Sequence, residues 1–495
     1  MLMKPKLGEF RTRSRKGNVI PVSVELPADL ETPVSIFLKL ARKLPHSFLL
    51  ESVELEEKLG RFSMIGMNPE LVLEYADGIG TLTRKGKKKE KIKSNFLSLV
   101  QTMLKEYRFV PDPDLPALVG GLVGYVGYEL VAQFEAIQPR SKSGLPLPDA
   151  ALFFPTNLVV FDHIKHRLKL IHLARVTQSV ERVYQQAVRS LETMAKKLER
   201  RVPGHHLANI SRESTHRTKV GCLHSNMTRA HFERMVQKTK SYIRAGDCIQ
   251  VVLSQRFDLG FVSDDFKVYR SLRSLNPSPY MFYFRNRLMS LVGSSPEMLA
   301  KKTGRRIEVR PIAGTRPRGK SDVEDVAYES ALRTSRKEMA EHLMLVDLGR
   351  NDLGRVARAS SVRVDHFARI ERYSHVMHLV SDVRGALKSG RTALDLFEAT
   401  FPAGTVTGAP KIRAMEIIDE LEDEKRGPYA GSLGYFSLTG DMDMCITIRT
   451  VVIYRKRAYV QAGAGIVNDS IPRNEYRETI NKAKALFQSV QMSRG

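Results

Sequence analysis

The chain has 495 residues, 42% of them hydrophobic, and a formal net charge of +25 from 79 basic and 54 acidic side chains. That length excludes a small disulfide-stapled domain and allows one large core or two. The three cysteines, Cys222, Cys248 and Cys445, form neither a CxxC pair nor a disulfide framework, which points to a reducing, cytoplasmic setting.

The N-terminus, MLMKPKLGEFRTRSRKGN, is basic but leads into no uninterrupted apolar core. The best apolar stretches are 118–132, broken by four glycines, and 151–161, broken by Pro155 and Asn157. Neither approaches the ~18–20 apolar residues that span a bilayer, so a soluble chain with no membrane partner is expected. Short β-rich segments run from Val19 to Leu173, with strands around Ser47–Val53, Glu70–Tyr75 and Leu158–Phe161. The densest basic run, RKGKKKEKIK (84–93), lies between Thr81-Leu82-Thr83 and the apolar 96–103. That context predicts a solvated hairpin tip. No zinc finger, KH loop, RRM aromatic pair or helix-turn-helix pattern accompanies the charge, so no nucleic acid is expected. The basic balance serves instead to draw in a small anion or to lend solubility.

A charged helix is predicted over 179–200. Residues 201–225 then lose periodicity and gather Pro, Gly, His, Ser and Thr, as a linker or surface crossover does. The chain therefore divides into an N-terminal region, 1–215, and a C-terminal region, 216–495. The second opens with a helix that Thr228 caps and Gly246 ends, with Phe232, Met235, Val236, Tyr242 and Ile243 on one face. Strands are predicted at 249–257, 281–285, 288–293, 435–439, 445–454 and 458–464. Helices are predicted at 323–357, with a break allowed at Gly349, and at 410–421 and 474–491. Strands grouped together with helices set among them favour an α+β fold.

Glu338 and Glu341 stand three residues apart on one predicted helix, and Glu475 and Glu478 repeat the spacing on another. Each pair shares a helix face. Two such faces set opposite one another would suit a hard cation such as Mg²⁺, although the same spacing is common on solvated helices. The apolar helix over 338–349 ends in Asp347, Arg350, Asn351 and Asp352, groups that are functional or tied into ion pairs. Three turns add anion-binding character. Residues 310–319 combine Arg310, Arg316 and Arg318 with Pro and Gly, and guanidinium forks suit carboxylates. Residues 461–465 (QAGAG) are small enough for a ligand to approach the backbone. Residues 404–411 lead into a helix through Pro410 and leave N–H groups facing outward. Neither GxxxxGK[ST] nor a strand-linked GxGxxG is present, so nucleotide binding has no support. Together these turns describe a site for a small, multiply anionic molecule.

The segments SSPE (294–297), PIAGTRPRG (311–319), KEMAEHLMLVDLGRNDLGRV (337–356), GTVTGAPKIRAM (404–415) and QAGAGIVNDS (461–470) resemble, in order, the chorismate-utilising enzymes. LLES (49–52), GRFSMIG (60–66) and GGLVGYVGYE (120–129) extend the likeness across the chain to the anthranilate synthase large subunits. The resemblance implies an α+β fold with a large antiparallel β-sandwich core and surrounding helices. It implies an Mg²⁺-dependent enzyme that turns chorismate and ammonia into anthranilate and pyruvate. Glu341 and Glu478 would ligate the metal, with Glu338 and Glu475 as outer or additional ligands. Glu297 would protonate the departing ring hydroxyl. His378, rather than the neighbouring His375, would assist removal of the ring proton, and Thr405 would line the same site. Tyr429 and Arg449 would hold the enolpyruvyl carboxylate, while Gly314, Thr315, Gly463, Ala464 and Gly465 would contact substrate. Ser52, Asn276, Pro279, Tyr280 and Met281 match a regulatory pocket for L-tryptophan.

Two positions narrow the branch that the resemblance implies. Gln250 occupies the place where isochorismate and salicylate synthases carry a water-activating lysine. Ala313 occupies the place of a lysine in aminodeoxychorismate synthases. Neither replacement can do that chemistry, which favours ammonia as nucleophile. No Gly-x-Cys nucleophile segment with a downstream His/Glu pair of a glutaminase is present, so a separate glutamine amidotransferase subunit, and hence a hetero-oligomer, is expected. An aminodeoxychorismate synthase is the alternative within the family, and a basic nucleic-acid-associated protein the alternative outside it.

Overall fold

A computed structural model of the chain describes residues 1–52, 60–116, 119–137, 140, 142–202, 224–373 and 376–494. Cys222, His375 and most of the expected 201–225 linker lie outside the described residues.

The named strand pairs are antiparallel, and helices surround them, which is the α+β architecture expected. Ser47–Glu51 lies between Phe62–Ala76 and Tyr280–Arg285, with Leu50 opposite both Met64 and Phe282. Gly121–Val126 pairs with Ser432–Ser437. The sheet is therefore continuous between residues of the 1–215 and 216–495 regions. Ala150–Asp162 is buried on both faces, so its apolar residues run on rather than alternate. Aromatic contacts stitch this interior, with Tyr107 stacked on Phe154 at 4.3 Å and Phe153 on Phe284 at 5.4 Å.

The helices follow the sequence patterns closely. Val180–Leu198 buries Val183, Ala187, Leu191 and Met194, one stripe at helical spacing. Thr228 caps Arg229–Arg244 by accepting the His231 N–H at 3.2 Å, and Phe232, Met235 and Val236 are buried beneath it. The basic run forms the tip of a hairpin between Ile79–Arg84 and Glu90–Lys93. Among the described residues no helix is long and apolar enough to cross a membrane.

Two elements divide differently from expectation. The segment 323–357 is two helices, Asp322–Thr334 and Arg336–Gly354, parted at Ser335 and not at Gly349. Ser335 starts the second helix by accepting the Glu338 N–H at 3.3 Å. Gly349 stays helical because it makes room for a neighbour: a β-carbon there would lie 2.9 Å from Val309 Cγ2. The segment 445–454 is likewise two pieces, Met442–Ile446 and Thr450–Tyr454, because Arg449 takes a left-handed φ of 51° between them. The polar end of Arg336–Gly354 is structural, since Lys411 Nζ contacts both Asp352 carboxylate oxygens at 2.8 and 2.9 Å.

Candidate active site

Two neighbouring strands form one wall. Gln250–Phe261 pairs with Arg457–Ile466 so that Val252, Leu253 and Ser254 stand opposite Gly465, Ala464 and Gly463. A β-carbon on Gly463 would lie 2.6 Å from the Tyr429 hydroxyl and 2.9 Å from the Leu253 carbonyl oxygen. One on Gly465 would lie 2.5 Å from Gln250 Nε2. Both glycines are required by close approach, and Ala464 between them is fully buried. Burial pushes the Tyr429 hydroxyl up to about 12. Arg449 is half-buried beside Tyr429 and Glu478, and its guanidinium donates to the Lys482 carbonyl. Burial lowers its pKa, while Tyr429 and Glu478 act in the opposite sense.

The carboxylate pairs meet the site from two helices, Arg336–Gly354 and Pro472–Met492. Glu341 is held above the ordinary carboxylate range by burial and by Glu338, and the neighbouring Gln250 side chain opposes this. Glu475 is raised by burial and by Glu478, with Ser470 opposing. Lys337 and Lys482 act electrostatically on both Glu341 and Glu475, so the two helices share one charged space. Lys482 Nζ is 2.7 Å from Glu478 Oε1 and donates to the Gly463 carbonyl at 3.1 Å. The sequence patterns did not single out Lys482; the available signal was its place one helical turn beyond Glu478. Glu338 accepts from Arg316 at 3.1 Å.

Among the described residues, no three His, Cys, Asp or Glu side chains are gathered as a preformed metal cluster. Mg²⁺ does not demand one, since it takes one or two carboxylates and completes its shell with water and substrate oxygens. The oxygen donors fit that ion: burial and like charge disfavour the anions of Glu341 and Glu475, which a cation would relieve.

Glu297 follows Met289–Ser295, and Ser295 pins this turn by donating to the Ile446 carbonyl at 2.7 Å. Its carboxyl is buried, which pushes it up to about 7 against the opposing effects of Thr405 and Lys482. Glu297 and Thr405 line one small cavity of about 40 Å³. The Thr405 hydroxyl is buried there without a hydrogen-bond partner of good geometry, although it lies close enough to Glu297 to favour its anion. His378 stands opposite Thr315 where Ile312–Pro317 pairs with Val376–Ala386. The register shifts at Gly314, whose φ of 59° turns its carbonyl to the histidine ring. His378 Nδ1 is 2.9 Å from that carbonyl and 3.1 Å from Thr315 Oγ1. Donation from Nδ1 to the carbonyl leaves Nε2 as the basic nitrogen. Burial is the main cause that lowers the ring's pKa, and the neutral form prevails at pH 7. A β-carbon on Gly314 would also lie 3.1 Å from Glu338 Oε2, so this bulge adjoins the carboxylate helix.

The arginine-rich turn differs from expectation. Arg310 pairs with Glu371 and Asp382, and Arg318 contacts Asp325 through Nε at 2.9 Å. Arg316 adjoins the site through Glu338, and Arg310 lines the small cavity of Glu297 and Thr405, but nearby carboxylates already engage the guanidinium groups of Arg310 and Arg318.

A second cavity, of about 430 Å³, is lined by Ser52, Pro279, Tyr280 and Met281 with Lys301 and Asp443. Tyr280 donates to Asp443 at 2.9 Å, and Lys301 pairs with the same carboxylate at 2.9 Å. Asn276 stands behind this wall, donating to Ser294 Oγ at 3.0 Å. Pro296 and Met298 also line the large cavity, whereas Glu297 between them lines the small one.

Residues 45–488 match the family described as chorismate binding enzyme. The chain is 46% identical to anthranilate synthase component 1 of Aquifex aeolicus over 493 residues, covering 100% of this chain and 99% of that one. It is 44% identical to the protein of the same name from Acetivibrio thermocellus, covering 98% of each. The crystal structure of anthranilate synthase component I from Streptococcus pneumoniae superposes with a TM-score of 0.76 at 37% identity, covering 93% of this chain and 99% of that one. The menaquinone-specific isochorismate synthase of Escherichia coli shares the fold, with a TM-score of 0.69 at 19% identity and 98% of each chain covered. With its full length matched and its motif residues drawn into one site, this chain belongs to the chorismate binding enzyme family, among the anthranilate synthase component 1 proteins.

Proposed function

We propose that the protein is a lyase that converts chorismate and ammonia into anthranilate, pyruvate and water. The observation that carries this reading is its end-to-end likeness to anthranilate synthase component 1 proteins. The site residues supply a consistent chemistry. Arg449 and Tyr429 bind the enolpyruvyl carboxylate, and the glycines at 314, 463 and 465 with Thr315 and Ala464 leave room for the ring. Glu297, protonated near neutral pH because it is buried, donates to the departing ring hydroxyl as ammonia adds. His378 then accepts the ring proton at Nε2 while pyruvate leaves, and its Nδ1–H stays anchored on Gly314. Glu341 and Glu478, with Glu338 and Glu475 beside them, would hold Mg²⁺. When bound, the ion neutralises the ring carboxylate and eases attack by the nucleophile. Gln250 adjoins Glu341 and has no basic nitrogen with which to activate water. The Ala313 methyl offers no nucleophile, which favours this reaction over aminodeoxychorismate synthesis.

The same reading includes a glutamine amidotransferase partner that supplies ammonia, inhibition by L-tryptophan at the 430 Å³ cavity, and a cytoplasmic location. Purified protein given chorismate, Mg²⁺ and a high ammonium concentration at mildly alkaline pH should form fluorescent anthranilate without any partner. EDTA should abolish the signal, and glutamine alone should not support it. Formation of 4-amino-4-deoxychorismate instead would overturn the assignment.

A further inference from the structure

At the hairpin ends of the sheet lies a cavity of about 240 Å³ that the chemistry above does not use. Its cationic lining is Arg42, Arg285, Arg287, Arg455 and Lys456, and its one carboxylate is Asp265. That carboxylate is already engaged, by the Tyr283 hydroxyl at 2.8 Å and by Arg42 and Arg285 at 3.5 and 3.8 Å. Among the described residues Arg287, Arg455 and Lys456 form no ion pair, so the lining carries a net positive charge.

The walls are fixed rather than loose. Arg455 and Lys456, with φ of 48° and 60°, make the two-residue turn between Thr450–Tyr454 and Arg457–Ile466. The Val262 N–H donates to the Lys456 carbonyl at 2.8 Å, and Arg285 donates to the Arg42 carbonyl at 3.0 Å.

Asn286 is the independent sign of a ligand. It is 3% exposed, and its Oδ1 accepts the N–H groups of Leu288 at 2.8 Å and Met289 at 3.0 Å. Those two bonds fix the orientation of the amide. Its Nδ2 is buried without a protein partner while the residue lines the cavity, and Arg42 Nε is another unpartnered buried donor there. Buried donors are paired in folded proteins. The donors that line this cavity outnumber its acceptor oxygens, of which the Asp265 carboxylate supplies the charged ones.

We propose that the pocket formed by Arg42, Arg285, Asn286, Arg287, Arg455 and Lys456 binds a phosphate-bearing small anion. Tetrahedral oxygens satisfy the Asn286 amide and the guanidinium donors together, and a dianion offsets part of the surplus charge. The volume admits a phosphate group with several further atoms.

Isothermal titration calorimetry on the full chain, at constant ionic strength in chloride, tests this with inorganic phosphate in one arm and glycerol 3-phosphate in the other. Saturable binding in both arms identifies the phosphate group itself as the ligand, and binding of the ester alone identifies an organic phosphate. Asn286→Asp keeps the Oδ1 acceptor that holds the turn but removes both amide donors. It should weaken binding about tenfold or more, as should the exposed pair Arg287→Ser with Arg455→Ser. Anthranilate formation should be unchanged in these variants without added phosphate. Absence of saturation in both arms, or undiminished affinity in either variant, would overturn the proposal.

Discussion

Gln250 lies diagonally across paired strands from Gly465, and its side chain fills the space that a β-carbon on the glycine would take. Gln250 Nε2 lies 2.5 Å from the point where a β-carbon on Gly465 would stand, and the same side chain adjoins Glu341 and favours its anion. Gly465→Ala should therefore push the amide off Glu341. The clash is with the end of a flexible side chain, so the protein should fold while its Mg²⁺ requirement rises and turnover falls about tenfold. A Mg²⁺ titration of activity beside a thermal melt checks both, and an unchanged Mg²⁺ requirement would refute the link. Gly463→Ala meets the fixed Leu253 carbonyl at 2.9 Å instead, and should destabilise the fold by about 1–3 kcal/mol.

Glu297 makes a prediction about pH. Burial raises it to about 7 from an ordinary value of 4.5, so the folded protein holds this proton more tightly than the unfolded chain does. Its contribution to stability is complete below about pH 4.5 and is lost as pH rises through about 7. Glu297→Gln should consequently melt at or above the wild-type temperature at pH 8, with the difference vanishing near pH 5. Its kcat should fall by roughly 100-fold or more, the scale of a lost general acid. In the wild type, kcat/KM for chorismate at fixed free ammonia should decline on the alkaline side with an apparent pKa near 7. A flat profile together with an active Gln variant would remove Glu297 from the acid role.

The two carboxylate helices separate metal binding from folding. Glu341→Gln removes a half-buried charge beside Glu338 and should leave the melting temperature unchanged or higher at neutral pH. Glu478→Gln breaks an ion pair with Lys482 whose side chains are 45% and 40% exposed, so its stability cost should be under about 1 kcal/mol. Both should nonetheless lose roughly 100-fold or more of the Mg²⁺-dependent activity. Wild-type turnover in both folded variants would refute the metal assignment.

The cavity at Ser52 adjoins the turn that carries Glu297, since Pro296 and Met298 line the one space and Glu297 the other. A ligand bound in the large cavity would contact the neighbours of the proposed acid, and the proposed inhibition would couple the two sites by that route. L-Tryptophan should lower turnover, and Ser52→Leu, which intrudes on the cavity, should raise the half-inhibiting concentration about tenfold. Equal inhibition of the variant and the wild type would place the inhibitor elsewhere.

The sequence by itself determined what local pattern can determine. The Thr228 cap, the stripe of Val180–Leu198, the i,i+3 carboxylate pairs and the charged hairpin tip are written in short-range spacing, and they stand in the structure as expected. Ordered motifs carried the family resemblance for the same reason: contiguous segments are legible without a fold. Only the tertiary structure decided which segments meet. Strand register sets Gln250 beside Gly465 and His378 beside Gly314. Packing of the C-terminal helix brings Lys482 to Gly463. Neighbours far along the chain likewise settled that Arg310 is spent on Glu371 and Asp382, and that Gly349 makes room for Val309 instead of ending a helix. Propensity and periodicity act over a few residues, whereas pairing, burial and charge compensation depend on partners that folding alone assembles.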